Sequence, residues 1–211
     1  MSAPGLVVAH RAANSPEALA ALPPGVDVVE ADVHLFHGRL EVRHAKVLWP
    51  LPTLWERWYL LDRDAPRPHP SEILPLIPPG VALMLDLKGP DPRLGPAVLE
   101  VAREVIAERG LIVSGRVWRT IDRLRGAEGV RTLHSVGSPR ELRALLRRRG
   151  EARPEGVSIH QRLLTPGVVA ALRERVDHVW SWPVDDPATA AVLGAWGVTG
   201  FISDAPERLL A

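Results

Sequence analysis

Five times along this chain a serine, threonine or aspartate, whose side-chain oxygen can cap a helix, stands directly before a proline: Ser15-Pro16, Asp91-Pro92, Ser138-Pro139, Thr165-Pro166 and Asp186-Pro187. The side-chain oxygen of such a residue satisfies an orphan amide at a helix start, and proline, which lacks an N–H, fits the first helical position. Each pair therefore predicts a helix beginning. Between and around them run short apolar, β-branched segments at 6–10, 26–33, 81–87, 112–118, 130–136, 156–160, 178–184 and 199–203, which read as eight strands. Ser138 and Glu141 also form a capping box, and Gly110, Gly150 and Gly197 stand where helices should stop. In the helix after Asp91, Val98, Val101, Ala102, Val105 and Ile106 fall on one side and can pack against a sheet. Strand and helix alternate throughout, which predicts an α/β chain folded as a (β/α)8 TIM-type barrel, one domain over residues 1–211. An open doubly wound sheet is the other arrangement with this order, but no Gly-x-Gly-x-x-Gly or Walker loop supports a nucleotide site on it.

The absence of cysteine excludes disulfides, thiolate zinc sites and a cysteine nucleophile. With 26 basic and 25 acidic residues the net charge is +1, so nothing drives the molecule as a whole toward nucleic acid or an anionic membrane. The arginine-rich stretch 140–153 has Glu141 and Glu151 interspersed and reads as the solvated face of an outer helix. The opening residues carry no basic run and enter a strand almost at once, and the most apolar stretch, 73–85, is interrupted by Pro75, Pro78, Pro79 and Gly80. Both features argue against a signal peptide or an integral membrane segment and give the expectation of a soluble, cytoplasmic protein. The oligomeric state is left open.

Ionisable residues collect within or at the ends of the apolar runs: His10-Arg11, Glu30-Ala31-Asp32, His44 and Asp86-Leu87-Lys88. Side chains alternate along a strand, so Glu30 and Asp32 share one face while Val29, Ala31 and Val33 take the other, and Asp86 shares a face with Lys88. Three carboxylates can therefore converge into an oxygen site for a hard divalent cation such as Mg²⁺ or Ca²⁺. Their apolar flanks strengthen that reading, because an unpaired buried carboxylate is costly. Lys88 is one of only two lysines, the other being Lys46, and the rest of the 26 basic residues are arginine. A compact point charge at Lys88 can bridge to Asp86, meet a phosphate, or do both. His10 and His44, each alone compatible with a structural hydrogen bond, together supply one acid and one base on either side of a phosphorus, with Arg11 on the phosphate oxygens. No Gly-x-Ser-x-Gly offers a rival nucleophile.

In this order the motifs resemble the glycerophosphodiester phosphodiesterase family, which carries His-Arg-Gly, Pro-Glu-Asn-Thr, Glu-x-Asp, His-Asp, Glu-x-Lys and Trp-Thr-Val-Asn, and closes on Gly-Ile-x-Thr-Asp-x-Pro. The chain has His10-Arg11-Ala12, Pro16-Glu17-Ala18, Glu30-Ala31-Asp32, His44-Ala45, Asp86-Leu87-Lys88, Trp182-Pro183-Val184-Asp185 and, at the end, Gly200-Phe201-Ile202-Ser203-Asp204-Ala205-Pro206. The resemblance implies a TIM-type barrel of the PLC-like phosphodiesterase kind, a divalent metal on Glu30, Asp32 and Asp86, acid–base work by His10 and His44, and phosphate contacts from Arg11 and Lys88. It implies a small-molecule phosphodiester substrate cleaved to an alcohol and a phosphomonoester. Ala12, Ala18, Ala45 and Asp86 depart from the family's glycine, asparagine, aspartate and glutamate. At Asp86 the chain is similar instead to the sphingomyelinase D-like phospholipases, which form a cyclic phosphate, and the departures also fit a non-catalytic barrel that binds phosphorylated ligands.

Trp182 resembles the family's pocket tryptophan and is expected either to stack on a cationic head group or to fill the barrel. His160, ending the sixth strand, and Trp118, ending the fourth, are expected to line the pocket or to pack. His34, His37, His69, His134 and His178 are expected to make ordinary polar contacts. The stretch after His44 holds Trp49, Trp55, Trp58 and Tyr59, has a helical look over 53–61, and reads as a loop over the mouth or as an aromatic-anchored connection.

Overall fold

The computed structural model describes residues 5–47, 53–56, 59–61, 65–148 and 153–211. In chain order its strands are β1 (Leu6–Ala9), β2 (Val28–Phe36), β3 (Arg39–Val42), β4 (Lys46–Val47), β5 (Leu54–Glu56), β6 (Tyr59–Leu61), β7 (Ala82–Lys88), β8 (Leu111–Gly115), β9 (Val130–Val136), β10 (Gly156–His160), β11 (His178–Trp182) and β12 (Gly200–Ser203). Its α-helices are α1 (Pro16–Ala20), α2 (Pro70–Ile73), α3 (Leu94–Val101), α4 (Arg103–Arg109), α5 (Trp118–Asp122), α6 (Pro139–Leu146), α7 (Pro166–Arg173), α8 (Pro187–Trp196) and α9 (Pro206–Leu210). Strands β1, β2 and β7 to β12 pair in parallel, and β1 bonds to both β12 and β2, so eight strands close on themselves. The result is the expected (β/α)8 barrel in a single domain, with β3 added antiparallel on the upper half of β2. No helix of the described residues is long and apolar enough to cross a membrane.

Strand alternation sorts the core into layers. Val8, Val28, Met84, Ile112, Leu133, Trp180 and Ile202 point inward and fill the lower barrel. The residues between them point outward into two clusters under the helices, one around Val29, Ala31, Val33 and Leu85, the other around Val157, Ile159, Val179 and Phe201. Trp180 fits inside only because its parallel neighbour is Gly200, where a Cβ would lie 2.7 Å from the indole. Large and small residues thus alternate around a narrow barrel, and the space above this floor is left for polar side chains.

Four of the five caps that stand before proline form. Ser15, Ser138, Thr165 and Asp186 each accept a hydrogen bond from the amide three residues on, at 3.2, 3.3, 3.2 and 2.8 Å. Asp91 does not: its carboxylate takes the Arg93 amide and guanidinium, making a turn, and α3 starts at Leu94. His69-Pro70 caps α2 through an imidazole nitrogen, a device the oxygen-based pattern passes over. The helical look of 53–61 is overturned: Leu54 pairs with Leu61, Trp55 with Leu60 and Glu56 with Tyr59 in an antiparallel sheet of β4, β5 and β6. Aromatic and leucine side chains suit a pleated surface, and cross-strand pairing overrides the weak helical spacing. Gly150, Trp49 and Trp58 lie outside the described residues.

Candidate active site

The C-terminal ends of the barrel strands surround a cavity of about 790 Å³. Inward alternation carries Glu30 and Asp32 of β2, Asp86 and Lys88 of β7, Ser114 of β8, Ser158 and His160 of β10 and Trp182 of β11 up toward it, directly above the apolar floor. Parallel register sets Asp32 opposite Asp86 and His34 opposite Lys88. One oxygen from each of Glu30, Asp32 and Asp86 lies within 4.8 Å of the others. The three predicted carboxylates therefore converge.

The buried acids are held by specific donors. Arg11 adopts the left-handed conformation, φ 57°, and this turns its amide onto Glu30 Oε2 at 2.8 Å. The following short turn, Ala12–Asn14, brings Asn14 against Asp32 twice, its Oδ1 accepting the Asp32 amide at 2.8 Å and its Nδ2 donating to Asp32 Oδ2 at 3.0 Å. Ser114 donates to Asp86 Oδ1 at 2.8 Å. The Lys88 ammonium bonds Asp86 and stands 2.8 Å from Asp32 Oδ1, so it counters part of the triad's charge. Burial, reinforced by the charge of Asp32, pushes Glu30 up to about 8. Burial acts on Asp32 in the same sense, but Lys88 and Asn14 outweigh it and hold that carboxyl below its usual range. Burial would lower Lys88, yet Asp86, Asp32 and Glu30 together hold it above the ordinary lysine range. The donor chemistry suits a hard divalent cation: carboxylate oxygens only, spread over about twice a metal–oxygen distance of roughly 2.0 to 2.6 Å.

Both histidines line the same cavity, and each gives Nδ1 to a carboxylate. His10 meets Asp204 Oδ1 at 2.6 Å, with its Nε2 3.9 Å from Glu30. His44 meets Glu56 Oε1 at 2.5 Å, and the same oxygen lies 3.5 Å from the Arg11 guanidinium, itself 3.6 Å from Asp32. Burial favours the neutral form of both rings. At His10 the Asp204 hydrogen bond and the charge of Glu30 reverse that, and its pKa is raised; at His44 burial prevails over Asp32 and the pKa is lowered.

A barrel closed in this way, with acids on adjacent strands and histidines after β1 and β3, can be set beside known structures. It has the fold of solved glycerophosphodiester phosphodiesterases. The phosphodiesterase from Oleispira antarctica, solved with the product sn-glycerol-3-phosphate, is 20% identical, with 97% of this chain and 94% of that one covered at a TM-score of 0.75. The Thermotoga maritima glycerophosphodiester phosphodiesterase is 20% identical over 96% of both chains at a TM-score of 0.74. The enzyme from Parabacteroides distasonis is 18% identical, with 99% of this chain and 96% of that one covered, also at 0.74. No family model and no curated protein matches the chain.

At the far wall His160 and Trp182 line the cavity as an edge-to-face pair with centroids 4.8 Å apart. Trp118 does not line it. The fourth barrel strand ends at Gly115, and Trp118 instead opens α5, where its indole stacks on His134 and donates to the Ser135 carbonyl at 3.0 Å. Asn14, Glu56, Asp204 and Ser114 escaped the sequence reading. Asp204 alone left a signal, in the closing Ser-Asp-x-Pro; Asn14 and Glu56 reach the site through loop and hairpin paths that no periodicity announces.

Proposed function

We propose that this chain is a metal-dependent phosphodiesterase that hydrolyses glycerophosphodiesters, or lysophospholipid-like diesters, to an alcohol and a phosphomonoester. The observation that carries the reading is the convergence of three carboxylates with two carboxylate-held imidazoles on one cavity. The shared fold, and a neighbour of that fold holding sn-glycerol-3-phosphate, support it.

Glu30, Asp32 and Asp86 are the residues that would hold Mg²⁺ or Ca²⁺, which when bound supplies positive charge against the phosphoryl oxygens. Arg11 and Lys88 add fixed positive charge on the same wall, where preorganised electrostatics are worth most. His44, kept neutral by burial, takes a proton at Nε2 from the attacking hydroxyl, either water or the substrate's own neighbouring one; in the second case the cyclic phosphate so formed is then opened by water to the monoester. His10, whose pKa is raised by the Asp204 hydrogen bond and the charge of Glu30, gives its proton to the departing alkoxide of an alcohol such as choline or ethanolamine. Trp182 and His160 face the organic part of the substrate, with the indole available to a cationic head group.

A ³¹P NMR time course with glycerophosphocholine and with lysophosphatidylcholine, each with Mg²⁺ or Ca²⁺, tests the reading. A growing monoester peak that EDTA abolishes is the expected outcome. A cyclic phosphate that accumulates without being opened to the monoester assigns the chain to the sphingomyelinase D-like chemistry, and binding of either diester without turnover makes it a ligand-binding barrel; each result overturns the hydrolase.

A further inference from the structure

We propose that Glu56, on the small sheet beside the barrel mouth, is a positioning residue for His44: it holds the proton on Nδ1 and so leaves the Nε2 lone pair open to the cavity. The proposal rests on the reading of His44 as the proton acceptor in phosphodiester cleavage.

In β5 strand alternation puts Leu54 and Glu56 on the inner face and leaves Trp55 exposed. An inner position in a short hairpin is a natural place for an apolar side chain, as at Leu54, yet here it holds a carboxylate that is only 12% exposed. Burying a carboxylate needs partners, and Glu56 finds two. Its Oε1 lies 2.5 Å from His44 Nδ1 and 3.5 Å from the Arg11 guanidinium, so one oxygen links the imidazole to the arginine that reaches Asp32.

Residues nearer in sequence do not do this work. Ala45 carries no acid, although the similar family has aspartate after its histidine. Glu41 bonds Arg43, and Arg43 also donates to the Ala45 carbonyl, so the flanks of His44 bond each other and leave the ring alone. Among the described residues Glu56 is the one acid hydrogen-bonded to His44.

An anionic acceptor cannot donate a proton, so Nδ1 must, and the neutral ring then carries its lone pair on Nε2. The bond a histidine makes at one nitrogen sets what the other can do. His10 is arranged alike, with Nδ1 on Asp204, so the two rings present the same nitrogen to the cavity. The hairpin is thereby part of the reacting assembly and not only its rim.

The test is Glu56→Gln, near-isosteric but able to donate through its amide and so to hold the ring in the opposite tautomer. Steady-state kinetics on glycerophosphocholine should show kcat falling by about ten- to a hundredfold with KM within twofold. The ¹⁵N spectrum of histidine-labelled protein, with the His44 signals assigned from a His44→Asn spectrum, should move from the Nδ1–H toward the Nε2–H pattern. A folded Glu56→Gln protein with the wild-type tautomer and kcat within twofold of wild type overturns the proposal. Should that variant fail to fold, Glu56→Asp carries the same two readouts, with partial retention of both expected. If the wild-type protein turns over no diester, the hydrolase reading fails, and the tautomer spectrum, which needs no turnover, still decides whether Glu56 sets the ring.

Discussion

His134 and His44 each hold a carboxylate that lies twelve residues away in the chain, Asp122 in one case and Glu56 in the other. His134 points outward from β9 into the layer beneath the helices. There Nε2 meets Asp122 at 2.9 Å, Nδ1 accepts from Arg148 at 3.1 Å, and the ring stacks on Trp118. Its residue is 0% exposed, and burial, with Asp122 opposing and Arg148 assisting, drives its pKa down to about 4. Both nitrogens are spent, so the ring is a neutral strut. His44 spends one nitrogen and keeps the other beside a cavity. The same two residue types give structure or chemistry according to whether the second nitrogen has somewhere to act, and strand parity decides which: the next residue on β9, Ser135, lines the cavity that His134 faces away from.

The sharpest way to break this comparison is to remove each ring in turn. His44→Ala and His10→Ala should lower kcat by about 10²- to 10⁴-fold with the circular dichroism spectrum unchanged. His134→Asn should leave kcat of the folded protein within twofold while lowering the melting temperature. A folded His134→Asn protein that has lost turnover, or a fully active His44→Ala protein, would erase the distinction.

The parts of the molecule legible from sequence are those in which periodicity carries the information. Val29, Ala31 and Val33 must face the helices, so Glu30 and Asp32 must face inward, and Asp86 follows from the same rule on β7; the register then has only to bring them level. The Ser-Pro, Thr-Pro and Asp-Pro caps were readable because a cap is a local contact between neighbours. Asp91 shows the limit, since the Arg93 guanidinium two residues on competes for the same carboxylate. What could not be read depends on where the chain travels between regular elements. Asn14 reaches Asp32 through the left-handed turn at Arg11, and Glu56 reaches His44 across a hairpin whose spacing also suits a helix. The expected fourth strand runs three residues too far, to Trp118, because Val117 and Trp118 resume the apolar character after Gly115 and Arg116 although the strand has ended.

A smaller effect sharpens the comparison through pH. The unfolded chain binds a proton at His134 near 6.5 and the folded one only near 4, so the stability this ring contributes is complete above pH 6.5 and is lost as pH falls from there toward 4. Between pH 7 and pH 5 the loss should be about 2 kcal/mol. Asp122, held below its usual range mainly by Arg148 and His134 against its burial, gives up its share only in more acidic solution. The raised His10 has the opposite sign, stabilising at low pH and losing that as pH rises, but it is common to both proteins and cancels in a difference. Urea midpoints of wild type and His134→Asn at the two pH values should therefore converge on acidification. Parallel midpoints would mean that folding does not lower the pKa of this ring.

The smallest effect separates the two tryptophans. Trp118→Phe keeps an aromatic face on His134 but deletes the indole donor to the Ser135 carbonyl, a single part-buried hydrogen bond worth about 1 kcal/mol. Because Trp118 stands outside the cavity, KM for glycerophosphocholine should not move, and the change should appear only in urea denaturation. Ser135 links this wall to the substrate space: its carbonyl takes the indole N–H, and the same residue lines the cavity. A KM shift in Trp118→Phe would show that the link transmits strain and that the outer layer, for all its spent hydrogen bonds, still shapes the pocket.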